Sequence, residues 1–156
     1  MDQAVKSIFR EVLRDEFKER NVPVLFSDPM YDGRYAVIEI EKVIFKLAWS
    51  SDLLMPSLCR IDTNIYAIGI DEHFVIIDVA HNKILLNLDV FSNFVETTLS
   101  QNYAFVIAEI ALYKIDLLTF EVVDEVCGLP DAFSEIVSKK GDTLKVRCLN
   151  DQIIEI

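Results

Sequence analysis

The chain has 156 residues, 52% of them apolar, with 26 Asp and Glu against 15 Lys and Arg, a formal net charge of −11. That length and apolar content suffice for one domain, 1–156, with a real core. The acidic balance opposes generic phosphate-backbone binding, which depends on Lys and Arg displacing counterions, and no window approaches the run of about 18 apolar residues that a spanning helix needs.

The first predicted element is an amphipathic helix over residues 2–20. Val5, Ile8, Phe9, Val12, Leu13 and Phe17 recur at i, i+3, i+4 spacing and make one apolar stripe. Lys6, Arg10, Arg14 and Lys18 form a basic row, with Glu11–Arg14 and Asp15–Lys18 meeting at i, i+3. Asp2 supplies an N-cap and Pro23 a stop. Such a stripe is expected to pack on the domain's own sheet; a partner helix is the alternative.

After Pro23 the pattern changes to short runs rich in Val, Ile, Phe, Tyr and Leu, broken by small polar groups. The predicted strands are Val24–Phe26, Tyr35–Ile40, Val43–Trp49, Leu58–Ile61, Ile65–Ile70, Phe74–Val79 and Ile84–Val90. They continue with Phe94–Leu99, Tyr103–Ala108, Ala111–Leu117, Glu121–Cys127, Phe133–Val137, Thr143–Cys148 and Gln152–Ile156. Most connections have hairpin length, so residues 24–156 predict antiparallel, meandering sheets.

An internal repeat sharpens the prediction. Ile65-Tyr66-Ala67-Ile68-Gly69-Ile70 recurs as Asn102-Tyr103-Ala104-Phe105-Val106-Ile107, and Phe74–Val79 recurs as Leu112–Leu117. Lys83-Ile84-Leu85 falls on Glu121-Val122-Val123, and Phe94-Val95-Glu96 on Phe133-Ser134-Glu135. The unit is about 38 residues and holds four short strands. With Asp78 and Asp116 at equivalent strand ends, where they fix the following turn through backbone amides, residues 31–156 resemble consecutive β-propeller blades. Two full and two partial units imply an open, partial propeller, with a β-sandwich or barrel as the alternative. The N-terminal helix is the expected cover for the apolar surface left at one end.

Cys59, Cys127 and Cys148 are too widely spaced for a zinc site or a dithiol pair, and they predict reduced, mostly buried thiols in a cytoplasmic protein. The charged N-terminus resembles neither a secretory signal nor a transit peptide. His73 and His81 are the only histidines, and no HExxH, GxSxG, glycine-rich phosphate loop or EF-hand spacing is present. Neither a catalytic set, a metal site nor a cofactor is predicted. Asp71-Glu72-His73 and His81-Asn82-Lys83 read as solvated turns.

In a meander, alternate loops emerge at the same end. One end collects Asp71, Glu72, Glu109, Asp131, Asn150 and Asp151; the other collects His81, Lys83, Gln101, Asn102, Lys139, Lys140 and Asp142. A segregated field of this kind steers a cationic partner. In size, acidity and lack of motifs the chain resembles the immunity proteins of contact-dependent growth inhibition. That resemblance implies a non-catalytic inhibitor that blocks a basic nuclease-type toxin through Asp71, Glu72, Glu109, Asp131 and Asp151, with His73 and Phe91 at the rim. The rival expectations are a scaffold module that binds through a sheet edge or the helix stripe, and a hydrolase with an unrecognised carboxylate site.

Overall fold

The computed structural model describes residues 7–156. These form β1 (Ser7–Val12), α1 (Arg14–Glu19), β2 (Arg34–Ile40), β3 (Val43–Trp49), β4 (Ser57–Arg60), β5 (Ile65–Ile70), β6 (His73–Asp78) and β7 (Lys83–Asp89). There follow β8 (Phe94–Leu99), β9 (Tyr103–Ala108), β10 (Ala111–Asp116), β11 (Val122–Cys127), β12 (Phe133–Lys140), β13 (Thr143–Cys148) and β14 (Ile153–Glu155). The strands make four antiparallel sheets in the orders β1-β2-β3, β4-β5-β6-β7, β8-β9-β10-β11 and β12-β13-β14. None closes on itself, so the barrel alternative is set aside.

Five predicted strands coincide with observed ones at both ends: β3, β5, β8, β9 and β13. The repeat is physical as well. β4–β7 and β8–β11 are two four-stranded sheets with the same sequential order, and β5, β6 and β7 correspond to β9, β10 and β11 at the predicted offset. Asp78 and Asp116 close equivalent turns. Asp78 Oδ1 accepts from the amides of Ala80 (3.0 Å) and His81 (3.2 Å); Asp116 Oδ1 accepts from those of Leu118 (2.7 Å) and Thr119 (3.1 Å).

The N-terminal helix is the main correction. Residues 7–12 are strand β1, paired with β2 from Ser7↔Ile40 to Val12↔Tyr35, and only Arg14–Glu19 is helical. Asp2, Val5 and Lys6 lie outside the described residues. The supposed stripe is divided between environments. Phe9 packs on the first core and Phe17 is buried, but Ile8 and Leu13 stay exposed. Six residue pairs along the otherwise open edge of β2 outweigh the helix preference of a short segment that is marginal alone. The charge pairs change accordingly: Glu11 holds Arg34, and Arg10 and Arg20 share Glu16.

Coverage of a sheet face nevertheless falls to α1. Phe17 packs against Tyr35 with tilted rings whose centroids are 5.1 Å apart, and the buried Lys46 of β3 donates to the carbonyls of Phe17 and Arg20, each at 2.7 Å. A cation at the C-terminal carbonyls of a helix also suits its dipole. Val24–Phe26 is not a full strand. It lies parallel to β3 through one bridge, Val24↔Lys46, with Leu25 N–H donating to the Lys46 carbonyl (2.9 Å) and Ala48 N–H to that of Phe26 (3.1 Å).

The chain forms two compact units. One runs to Asp71 and resumes over Val75–Asn87; the other is Glu72–Phe74 with Leu88–Ile156. In the first, inward residues of β2, β3, β5 and β6 (Ile38, Phe45, Leu47, Trp49, Ile68 and Ile77 among them) form one apolar cluster. In the second, Phe105, Ile107, Leu112, Leu129, Leu144, Val146, Cys148 and Ile156 form another. The other side of β13 is polar: Lys145 pairs with Glu155 (3.2 Å) and Arg147 with Glu135 (2.9 Å). All three cysteines are free, but the expected burial holds for Cys148 alone; Cys59 is half-buried and Cys127 is exposed on the last strand of its sheet.

The Asp78 turn carries a pH prediction. The side-chain hydrogen bond from His81 (2.7 Å), together with the amides of Ala80 and His81, holds the Asp78 carboxyl below its ordinary range. A carboxyl lowered by folding contributes stability that is full above the ordinary carboxylate range and is lost as pH falls through the lowered value. Asp78→Asn is therefore expected to be less stable than the parent at neutral pH. The difference should begin to close as pH falls below about 4, the ordinary carboxyl value, and vanish below the lowered value, where the folded carboxyl is neutral too; urea unfolding at stepped pH measures it.

Candidate functional site

The predicted rim residues do not share one environment. Asp71 is buried in the first unit, where its Oδ2 accepts from Ser50 N–H (2.9 Å), Ser51 N–H (3.0 Å) and Ser50 Oγ (3.1 Å). It is an internal acceptor that fixes the loop after β3, so it is withdrawn from the partner-binding set. A carboxylate so engaged and shielded has little reach into solvent.

Glu72, His73, Phe91, Glu109, Asp131 and Asp151 all belong to the second unit, and hydrogen bonds join their loops in series. Val90 N–H donates to the Glu72 carbonyl (2.9 Å), and Phe91 N–H to Tyr113 Oη (2.7 Å). Ile110 N–H reaches Ser92 Oγ (2.9 Å), Glu109 N–H the Asn93 carbonyl (2.8 Å), and Phe133 N–H the Glu109 carbonyl (2.7 Å). Leu149 N–H then donates to the Ala132 carbonyl (2.9 Å), which links the last loop. Two turn residues take the left-handed backbone that this packing of short loops requires: Gly128 (φ 80°) and Asp151 (φ 67°).

The side chains on this frame are acidic and largely free. Glu72, Glu109 and Asp151 are exposed and Asp131 is half-buried. Glu109 Oε2 meets Asn93 Nδ2 at 3.4 Å, and Asp131 Oδ1 accepts from Ala132 N–H at 2.8 Å. Among the described residues none of these four makes an ion pair. Phe91 stands 60% exposed on a backbone that Tyr113 fixes, and the half-buried His73 lies 3.9 Å from the exposed Asp89 carboxylate. Burial pushes the Tyr113 phenol up to about 12, so it stays protonated beside the Phe91 amide and the Cys127 thiol (3.8 Å).

Charge is unevenly divided between the units. The second holds 13 Asp and Glu against five Lys and Arg, so −8 of the chain's −11 resides there. Its lysines at the opposite end are partly engaged: Lys139 Nζ donates to Thr98 Oγ1 (2.8 Å) and to the Leu99 carbonyl. That end has an open hollow of about 540 Å³ lined by Ser100, Gln101, Asn102, Tyr103, Lys139 and Asp142. Among the described residues no group of three His, Cys, Asp or Glu is placed to hold a metal ion, and no helix is long and apolar enough to cross a membrane.

No protein-family model and no curated protein matches the chain. Among solved structures it is similar to the crystal structure of the computationally designed Ika4 protein, at 13% identity over 78% of each chain with a TM-score of 0.54, which is a likeness of fold alone.

Proposed function

We propose that this chain is a non-catalytic binding protein whose second unit captures a basic protein through the rim of Glu72, Glu109, Asp131 and Asp151, the mode of a stoichiometric inhibitor. The carrying observation is the series of hydrogen-bonded loops that orders the backbone bearing these carboxylates and leaves them unpaired to a cation. Like charges gathered on an ordered backbone raise the association rate of a cationic partner, and little loop entropy is lost when it binds. An immunity protein that occupies the groove of a basic nuclease-type toxin in a cytoplasm is the specific form of the reading. Each four-stranded sheet is read with it as one propeller-like blade, supported by the 38-residue repeat.

The scaffold alternative keeps its sheet edges; the helix stripe, its other route, is broken up, with Phe17 buried on the chain's own sheet and residues 7–12 in a strand. The deciding experiment is capture from host lysate at low salt, followed by a wash at about 0.5 M salt, where screening removes most exposed charge attraction. The expected result is one small basic protein released by salt. Its association rate with a Glu72→Gln, Glu109→Gln, Asp131→Asn, Asp151→Asn variant should fall about tenfold or more at unchanged thermal stability. Recovery of this chain alone, or of an assembly indifferent to salt, sinks the proposal.

A further inference from the structure

The first unit carries a surface of the opposite character. Two loops that meet at Arg34, 27–33 and 50–56, present Met30, Tyr31, Leu53, Leu54 and Met55 to solvent, with Leu53 93% and Met30 84% exposed. Loops ordinarily turn polar side chains outward and leave their backbone wet. Here the backbone groups are taken up internally. Arg34 Nη1 donates to the carbonyls of Asp52 (3.0 Å) and Leu54 (3.2 Å), Trp49 Nε1 donates to the same Leu54 carbonyl (3.2 Å), and Asp71 holds the Ser50 and Ser51 amides. Arg34 is itself fixed by Glu11 and lies 4.8 Å above the Trp49 ring, and Gly33 N–H ties the other loop to the Trp49 carbonyl (3.0 Å). The side chains of Leu53 and Leu54 are thus left outside on a rigid frame, and the half-exposed Met55 side chain is held with its Sδ 3.0 Å from Arg34 Nη2. Leu53, Leu54 and Met55 are consecutive exposed apolar residues; exposed apolar surface marks interaction sites, and rigidity lowers the cost of binding.

We propose that this crest docks an amphipathic, cationic segment of a protein partner, with aliphatic or aromatic side chains on Leu53, Leu54 and Met55 and flanking Lys or Arg near Asp28 and Asp52. The charge balance selects that occupant. The two loops hold Asp28, Asp32 and Asp52 and no basic residue, and the Arg34 that follows is neutralised by Glu11. A second copy brings the same acids and a net −11, and an anionic membrane surface is likewise repelled. The inference does not depend on the rim, which belongs to the second unit.

Trp49 is the chain's one tryptophan and bonds directly to the crest, so its fluorescence reports docking. The probe is a synthetic peptide with Leu and Lys at amphipathic helical spacing; a Ser/Lys peptide of equal charge is the control. The Leu/Lys peptide is expected to bind at least about tenfold more tightly than the control, and Leu53→Ser/Leu54→Ser to remove that advantage. Because both side chains are exposed, the variant should keep its unfolding midpoint, and Met30→Ser/Tyr31→Ser gives an independent second lesion. The four-residue rim variant should leave the advantage of the Leu/Lys peptide over its control within about twofold, since the side-chain hydrogen bonds of Glu109 and Asp131 go to Asn93 and Ala132 and not to either crest loop. Equal affinity for both peptides, or crest variants that bind like the parent, overturns the proposal. So does self-association or binding to zwitterionic vesicles that the crest variants abolish, since the crest then serves another occupant.

Discussion

Asp71→Ala is expected to destabilise the first unit by about 4 kcal/mol, because it removes a charged acceptor of three hydrogen bonds and leaves alanine in a left-handed backbone. The acceptor sits at 8% exposure and serves Ser50 N–H, Ser51 N–H and Ser50 Oγ at 2.9–3.1 Å, so two part-buried amide bonds are lost together. Asp71 has φ 50°, a conformation that Asn tolerates and Ala does not. Asp71→Asn therefore separates the two causes. It keeps the backbone and one carbonyl acceptor and is expected to cost only about 1–2 kcal/mol. Urea unfolding followed by Trp49 fluorescence measures both. Near-equal losses for Ala and Asn would place the effect in charge alone. A loss below about 1 kcal/mol for Ala would mean that water satisfies the 50–51 amides as well as the carboxylate does. In either variant the loop 50–56 loses an anchor, so faster exchange of its amides is expected alongside the global loss.

The same residue shows where a sequence can be read and where it cannot. Asp71-Glu72-His73 is a tight polar turn, and the sequence predicts that turn. What it does not reveal is that the Asp71 carboxylate faces two amides some twenty residues earlier, because neither Ser50 nor Ser51 carries a mark of an unpaired N–H. The strands were legible for a local reason. β5 and β9, or β6 and β10, repeat the same alternation, so each copy supports the other, and β3 and β13 are bounded by turn residues. Asp78 and Asp116 were legible because a carboxylate two residues before an amide acts locally.

The N-terminal segment misleads because Ile8, Phe9, Val12, Leu13 and Phe17 fit a helical period, while the open edge of β2 that claims residues 7–12 lies far along the chain. The rim was legible in part. Loop alternation brings the loops of Glu72, Glu109, Asp131 and Asp151 together, but the hydrogen bonds that hold them involve backbone groups with no sequence signature. The crest was missed altogether. Leu53-Leu54-Met55 is apolar, and nothing local says that Arg34 and Trp49 draw the backbone inward and leave those side chains outside.

Lys46→Ala is expected to release α1 at a cost of about 3 kcal/mol, since two charge-assisted hydrogen bonds to helix-end carbonyls and a buried aliphatic stem are lost at once. The ammonium donates at 2.7 Å to the carbonyls of Phe17 and of Arg20 and sits 4.8 Å from the Phe17 ring. A six-residue helix has no independent stability, and Leu13 at its N-cap makes no side-chain cap hydrogen bond, so this latch and Phe17 carry it. Lys46→Met keeps most of the stem and removes only the donors, and about 2 kcal/mol of the loss should remain. Amide exchange supplies the discriminating readout. If α1 is held by the latch, the amides of Phe17 and Arg20 exchange faster in both variants, while those of β5 and β9, inside the sheets, keep the protection of the parent. Uniform loss of protection across the first unit would instead make Lys46 an integral part of its core. Arg at this position is expected to restore the donors only in part, because its longer side chain and planar fork suit two carbonyls each at 2.7 Å from one atom less well than a compact ammonium does.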